Sequence, residues 1–358
     1  MTLAPLLACV LAQSSPVSTA PAAKPVDAAS RPADLRVDGE RKRFGEIRQL
    51  TFGGENAEAY FSADDRALIF QSTRPPYECD QMFTMSVDGS NLRLVSTGKG
   101  RCTCGYFFPD GKRILFSSTH AAGAGCPQKP DMSQGYVWRV EPTYDIYSAN
   151  ADGTDPKPLA ASPGYDAEAT ISRDGSKIVF TSDRDGDLEL YSMNADGSGV
   201  RRLTNAPGYD GGAFFSPDGK KIVYRAHHVE DPKEVEEYRG LLAKHLVRPT
   251  KLEIWIMDAD GSNAKPITKL GAASFAPFFH PDGKRIIFSS NCGDPKGREF
   301  DLYLVGIDGD GLERVTFSHD FDGFPMWTSD GRHLVFASNR NGSRPHETNL
   351  FLAEWLDR

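Results

Sequence analysis

Residues 215–224 read Phe-Ser-Pro-Asp-Gly-Lys-Lys-Ile-Val-Tyr, a polar Asp-Gly turn followed by a run of β-branched and aromatic residues. An Asp-Gly pair before such a run is typical of a β-hairpin. The phrase occurs six times, with Asp-Asp in the first copy, and its Asp anchors are 46, 64, 44, 64 and 48 positions apart. A hairpin repeat of about 45 residues predicts the blades of a β-propeller. The anchors are Asp64, Asp110, Asp174, Asp218, Asp282 and Asp330.

The number of strand patterns predicts six blades and the way in which the ring closes. In each copy the turn joins a first strand to a second strand, which is the run of β-branched and aromatic residues. A third strand pattern follows every copy, and a fourth follows the first five copies. The sixth copy has none, but residues 46–51 closely resemble residues 200–204, the fourth strand of the third copy. We therefore expect the N-terminal strand to complete the last blade, which pairs an otherwise open sheet edge. The predicted fold class is all-β, a six-bladed β-propeller closed by an N-terminal strand, with one inserted helix.

The repeat also resembles a known family. Residues 215–224 and 187–197 resemble the repeats of TolB-like (WD40-like) propellers, and the resemblance covers residues 44–358. It implies a periplasmic and mostly non-catalytic propeller that binds protein or peptide partners.

Composition and missing motifs narrow the function. The net charge of −8 argues against nucleic acid as a partner. No stretch is long and apolar enough to span a bilayer. The sequence has neither a phosphate-binding loop nor a Gly-x-Ser-x-Gly nucleophile motif, so we assign no catalytic residue and expect no cofactor. The expected partner is a protein or peptide of the cell envelope.

The first 43 residues resemble an export region. Residues 3–12 form a short apolar run, and small residues before Gln13 suit signal cleavage. Leu6-Leu7-Ala8-Cys9 also resembles a lipoprotein processing site, so lipid anchoring at Cys9 is the alternative. We predict an export signal over 1–12, a disordered Ala/Pro-rich tether over 13–43, and the propeller over 44–358. The expected location is periplasmic or secreted.

Five further cysteines lie in predicted loops. In an oxidising compartment they predict one or two disulfides, with one thiol left over. The preferred bridge joins Cys79 to Cys104, because both flank the entry to the second blade. The Cys-Thr-Cys spacing at 102–104 is not that of a zinc-ligand pair. The five are Cys79, Cys102, Cys104, Cys126 and Cys292.

Candidate binding residues lie on one predicted face, where loops entering the first strands meet loops joining second and third strands. We call this face the mouth. Four residues past each second-strand aromatic lie Arg74, His120, Arg184, His228, Cys292 and Arg340. Just before the first strands, the equivalent positions are Glu58, Cys104, Glu168, Gly212, Ala276 and Phe324, with Asp210 and Asp322 two residues earlier in their loops.

Two interpretations of these positions stay open. Alternating bases and acids around the mouth predict a site for a peptide, with arginines pairing its carboxylate. Alternatively, each arginine only ties itself to an Asp of a neighbouring blade. The histidines offer another function, a metal-dependent lyase or hydrolase acting on a carbohydrate or peptide, with His120 and His228 as metal ligands. The main prediction is a non-enzymatic scaffold that binds a protein or peptide at the mouth of its central channel.

Two insertions interrupt the repeat. Residues 120–143 are rich in Gly and Pro, and residues 230–247 predict the one helix, capped by Asp231 and started by Pro232. Its apolar residues recur at helical spacing, which predicts that this helix docks on the propeller beside the mouth.

Overall fold

The computed structural model describes residues 34–131, 133, 135–345 and 347–357. The predicted export signal 1–12, Cys9 and the first part of the predicted tether, 13–33, lie outside the described residues. Among the residues described, no helix is long and apolar enough to cross a membrane. The strands form six four-stranded sheets and one two-stranded sheet.

The strands are short, and most of the main ones have six residues. Those up to the end of the second blade are β1 Phe44–Gln49, β2 Glu55–Phe61, β3 Ala67–Thr73, β4 Gln81–Ser86, β5 Arg93–Leu94, β6 Cys102–Phe107, β7 Arg113–Ser118, β8 Trp138–Arg139, β9 Asp145–Asn150 and β10 Lys157–Ala160. The third and fourth blades contain β11 Asp166–Ile171, β12 Lys177–Ser182, β13 Glu189–Asn194, β14 Arg201–Arg202, β15 Gly208–Phe215, β16 Lys221–His228, helix α1 Pro232–Leu242, β17 Leu246–Val247, β18 Glu253–Asp258 and β19 Lys265–Pro266. The last two contain β20 Ser274–Phe279, β21 Arg285–Ser290, β22 Asp301–Gly306, β23 Glu313–Arg314, β24 Asp322–Trp327, β25 His333–Ser338 and β26 Asn349–Trp355.

The sheets are arranged as the blades of a six-bladed propeller. Each is antiparallel, and its strands pair in chain order apart from the inserted β8 and β17. The first strands β2, β6, β11, β15, β20 and β24 pack against one another in sequence, and β24 packs against β2. They therefore surround a central channel. The last blade has the order β1-β26-β25-β24, in which Ile47 pairs with Ala353, so the N-terminal strand is its outermost strand.

The core is built from the repeated phrase. The aromatic residue that ends the phrase is completely buried in all six copies. In five blades it stacks on an aromatic residue of the third strand, as Phe180 does on Tyr191 at 5.7 Å between ring centroids. Burial of each such ring contributes about 2 kcal/mol to stability. The six are Phe70, Phe116, Phe180, Tyr224, Phe288 and Phe336.

Aromatic side chains close the channel away from the mouth. Tyr60 of the first blade and Phe214 of the fourth lie on opposite sides of the ring, yet their centroids are 5.5 Å apart. Tyr106 lies 5.3 Å from Tyr60, and Phe278 lies 5.3 Å from Phe214. These four rings form a plug, so the space on the mouth side of them is a blind cavity.

The two insertions meet each other. β8 from the second blade pairs with β17 from the fourth, with Trp138 opposite Val247, and we call this pair the insertion sheet. The helix between β16 and β17 ends at Leu242, five residues before the predicted end, because the chain turns there into β17. Asp231 caps the helix as expected, accepting hydrogen bonds from the amides of Lys233 and Glu234. Tyr238 is buried in an apolar cluster with Val247, which docks the helix on the propeller.

The described part of the predicted tether, residues 34–43, contacts the last blade. It contains a short 3-10 helix, Glu40–Lys42. Glu40 is fully buried and pairs with Arg340 at 2.9 Å and 3.1 Å. Ordered contacts with the propeller therefore begin before residue 44.

Candidate functional site

The mouth side of the channel holds a cavity of about 970 Å³. Every first strand has a β-bulge there, and one residue in each bulge adopts a left-handed φ between 51° and 59°. A bulge re-aims the side chain of its extra residue. All six of these residues line the cavity, and they match the positions that the alignment of the repeats made equivalent. They are Glu58, Cys104, Glu168, Gly212, Ala276 and Phe324.

A buried ion pair occupies one side of this ring. Glu168 is paired with Arg225, and its carboxylate also accepts hydrogen bonds from Tyr209 Oη, Thr181 Oγ1 and the Gly212 amide, each at 2.8 Å. Burial alone would raise the pKa of Glu168, but the charge of Arg225 and these hydrogen bonds hold it below its usual value. Both carboxylate oxygens are engaged, so this group acts as a brace between blades.

Arg225 reaches the channel because its neighbour has no side chain. A Cβ on Gly212 would overlap Nη1 of Arg225, and Gly212 has a φ of +58°. The guanidinium lies 5.0 Å from the ring centroid of Tyr209 and 5.5 Å from that of Trp138 in the insertion sheet. The arginine thus connects the ring of bulges with the insertions above it.

Glu58 has a different environment. Burial raises the pKa of Glu58 to about 7, although the neighbouring Cys104 thiol lowers it in part. The charge of Glu168 raises it further, and the charge of Arg225 acts in the opposite direction. Burial also raises the pKa of Cys104 well above its usual value, so this thiol is protonated at neutral pH.

The opposite wall is aromatic. Phe275 lies 5.0 Å from Phe300 and 5.4 Å from Phe324, and Phe321 lies 6.0 Å from Phe324. Trp138 extends this wall, at 6.1 Å from Phe275. The cavity therefore has a carboxylate-bearing side from the first three blades and an aromatic side from the last two.

The other predicted binding residues lie within the blades and not on the cavity wall. Each is bonded inside its own blade, as Arg184 is to Asp166 at 2.8 Å, with its guanidinium 5.0 Å from the Tyr191 ring. The arginines are thus bonded within their own blades and not to a neighbouring blade, and Arg340 is bonded to Glu40 as well. The equivalent bonds are Arg74 to Asn56, His120 to Ser118, His228 to Asp210, and Arg340 to Asp322.

The two histidines of the metal hypothesis are held apart by the same arrangement. His120 packs on Tyr147 of the second blade at 4.4 Å, and His228 packs on Trp255 of the fourth at 4.3 Å. In the part of the chain that the structure describes, no group of three or more His, Cys, Asp or Glu could hold a metal ion.

The disulfide differs from the preferred pairing. Cys79 is bonded to Cys126 of the first insertion, and Cys102, Cys104 and Cys292 are free. Cys104 is unsuited to the predicted bridge because its bulge turns the side chain toward the channel and Glu58. Thr103 on the same strand bonds Gln71, which fixes this orientation.

Sequence reasoning missed Arg225 and the aromatic wall. The residue after each repeated aromatic is small or neutral in five blades and is Arg225 in the fourth. A charged residue at a position that is neutral in every other copy could have identified Arg225 as a candidate site residue. The equivalent residues are Gln71, Ser117, Thr181, Ser289 and Ala337.

Comparisons with known proteins agree with this architecture. Residues 130–237 match the family described as the TolB beta propeller domain. No curated protein sequence matches the chain. The fold is similar to a putative TolB from Agrobacterium tumefaciens, with a TM-score of 0.58 and 19% identity over 87% of this chain and 97% of that one.

Two further solved structures are similar in fold. TolB from Acinetobacter baumannii gives a TM-score of 0.55 and 18% identity over 85% of this chain and 64% of that one. An oligogalacturonate lyase from Vibrio parahaemolyticus gives a TM-score of 0.51 and 12% identity over 86% of this chain and 93% of that one. At these identities the likeness concerns the fold alone. The chain is therefore a six-bladed β-propeller whose residues 130–237 match the TolB beta propeller domain.

Proposed function

We propose that this protein is an exported, non-enzymatic scaffold that binds a protein or peptide partner at the mouth of its channel. The observation that carries the proposal is the blind cavity. The plug of Tyr60, Tyr106, Phe214 and Phe278 closes one end, and the lining extends outward to mouth loops that contain Pro127. A concave site with an aromatic wall and a few polar groups is typical of ligand binding.

Two acids of the cavity are engaged by other protein groups and are therefore unsuited to act as a general base. Glu168 is saturated by four hydrogen-bond partners, and Glu141 is paired with Arg139 at 2.7 Å. A general base must have a free position from which it can take a proton. The alternative, a metal-dependent lyase or hydrolase, would need His120 and His228 on one ion, and their packing in separate blades gives it no support.

Site-specific photo-crosslinking tests the proposal. Tyr136 is 62% exposed and lines the cavity, whereas Leu312 is 46% exposed in the β22–β23 turn on the opposite face. A photoreactive phenylalanine at each position, in cells that export the full chain, should give a discrete protein adduct from position 136 only. Equal labelling from both positions, or adducts from position 312 alone, would overturn the assignment of the mouth.

A further inference from the structure

Among the described residues, one half-buried acidic side chain of the cavity has no counter-ion, whereas Glu55, which also lines the cavity without an ion pair, is exposed to water. Asp80 lies 3.7 Å from Arg101, and Glu168 is paired with Arg225. Within the described part of the chain, Glu58 lies near the Cys104 thiol but forms no ion pair. Its half-buried carboxyl lines the cavity. A carboxylate held away from bulk water without a cation is unfavourable, so this position favours a positively charged ligand.

The aromatic wall begins beside this carboxyl. Glu58 and Phe324 hold equivalent bulge positions in the first and last blades, whose first strands β2 and β24 pack together. Phe324 and Phe321 are half-buried and line the cavity. Aromatic faces attract cations and also bury the methylene stem of a long basic side chain.

We propose that the cavity binds a lysine or arginine side chain of a peptide, with its charge at Glu58 and its stem against Phe324 and Phe321. The inference rests on the proposed function and names the chemistry that the partner must present. A basic side chain protruding from a peptide matches both walls at once. A neutral apolar side chain would leave Glu58 without a partner.

The affinity for a cationic side chain should also depend on pH, because it requires the ionised form of Glu58. The charged and titratable groups near Glu58 are the Cys104 thiol, the Tyr60 hydroxyl, Glu168, Arg225 and Asp80. Because the pKa of Glu58 is raised to about 7, the carboxyl is largely protonated at pH 5. A cation binds its ionised form, so affinity should fall about tenfold for each pH unit below about 7.

The test uses three blocked peptides and calorimetric titration into the full chain. The peptides are acetyl-Gly-Lys-Gly-amide, acetyl-Gly-Arg-Gly-amide and acetyl-Gly-norleucine-Gly-amide. At least one basic peptide should bind ten times more tightly than the norleucine peptide at pH 8, and this preference should vanish at pH 5. Equal binding of all three at pH 8 would overturn the inference.

Two variants locate the effect. Glu58→Gln should abolish the preference for the basic peptide, while Glu55→Gln, a matched change at an exposed carboxylate of the same strand, should retain it. If Glu55→Gln loses the preference equally, the assignment to Glu58 is wrong. Tighter binding of an unblocked Gly-norleucine-Gly-amide would also overturn it, because the cation would then be a chain terminus.

The two proposals fail in different ways. Crosslinks from position 136 without any preference for basic peptides would refute the cationic ligand and leave partner binding at the mouth intact. Preferential binding of basic peptides without crosslinks from that position would refute the macromolecular partner while the chemistry of the cavity stands.

Discussion

Replacing Gly212 with alanine should destabilise the protein through Arg225 rather than through its own backbone. Gly212 has a φ of +58°, and the equivalent residue of the next blade is Ala276 with a φ of +51°. An alanine is therefore compatible with this bulge at a strain of about 1 kcal/mol. The added Cβ would overlap Nη1 of Arg225, however, so the guanidinium must move.

The displacement should cost more than the strain. The side chains of Arg225 and Glu168 are only 10% and 11% exposed. Separating a buried pair while leaving both charges inside costs about 3 kcal/mol or more. We expect Gly212→Ala to lower the free energy of unfolding by about 4 kcal/mol, the sum of the two effects.

A double-mutant cycle measured by urea denaturation isolates the clash. In an Arg225→Met background, Gly212→Ala should cost only the strain of about 1 kcal/mol, which gives a coupling energy of about 3 kcal/mol. Ala276→Gly is the matched control, and it should change stability by less than about 1 kcal/mol, because relief of strain offsets the extra freedom of the unfolded chain. A coupling energy near zero would refute the role given to Gly212.

Three further predictions concern other described groups. Because burial raises the pKa of Glu58 from 4.5 to about 7, the folded state holds a proton that the unfolded state releases, so stability is lost as pH rises through this window. Glu58→Gln should remove up to about 3 kcal/mol of that loss in urea melts at pH 5 and pH 8, and identical pH slopes would contradict it. Non-reducing peptide mapping should recover a Cys79–Cys126 peptide, and a recovered Cys79–Cys104 peptide would refute the pairing. Because the bridge spans 47 residues, changing both cysteines to serine should lower the free energy of unfolding by about 4 kcal/mol. Glu40→Ala should lower the free energy of unfolding by about 2 kcal/mol, since buried Arg340 loses two hydrogen bonds. The control Glu46→Ala, at an exposed position, should have little effect on the free energy of unfolding. Equal effects of the two changes would show that residues 34–43 contribute no specific anchor.

The fold was accessible from the sequence because its stabilising contacts repeat. The Asp-Gly turn recurs in five blades, with Asp-Asp in the first, and the buried aromatic recurs in all six, so each copy corroborates the others. Phe180 and Phe288 hold the same position in the alignment and in the core. Alignment of the copies also identified the six bulge residues as equivalent, although it placed them just before the first strands rather than inside them. The length of the inserted helix was less accessible, because Leu246 fits a helical stripe and a strand equally well.

The site was only partly accessible, because pairing across a sheet is invisible in the spacing of a sequence. Arg184 and His228 fall on the mouth side of the alignment, but each turns back to an acid of its own blade. Such bonds satisfy buried carboxylates that would otherwise be unfavourable. Residues at such positions could point into the cavity or back into their own blade, and the sequence pattern does not distinguish the two directions.

The chemistry of the cavity depends on the positions at which the six blades carry different residues. Six equivalent bulges would make a symmetric ring, but one carries glycine, one phenylalanine and two glutamate. Arg225 crosses above the glycine to Glu168, which neutralises one acid and leaves the other, Glu58, beside the phenylalanine. The pairing that stabilises one side of the ring therefore leaves the half-buried carboxyl of Glu58 without an ion pair, in the blade next to the aromatic wall. Changes at Gly212 and Arg225 should for that reason alter the stability of this propeller, whereas Glu58→Gln should alter both its ligand preference and the pH dependence of its stability.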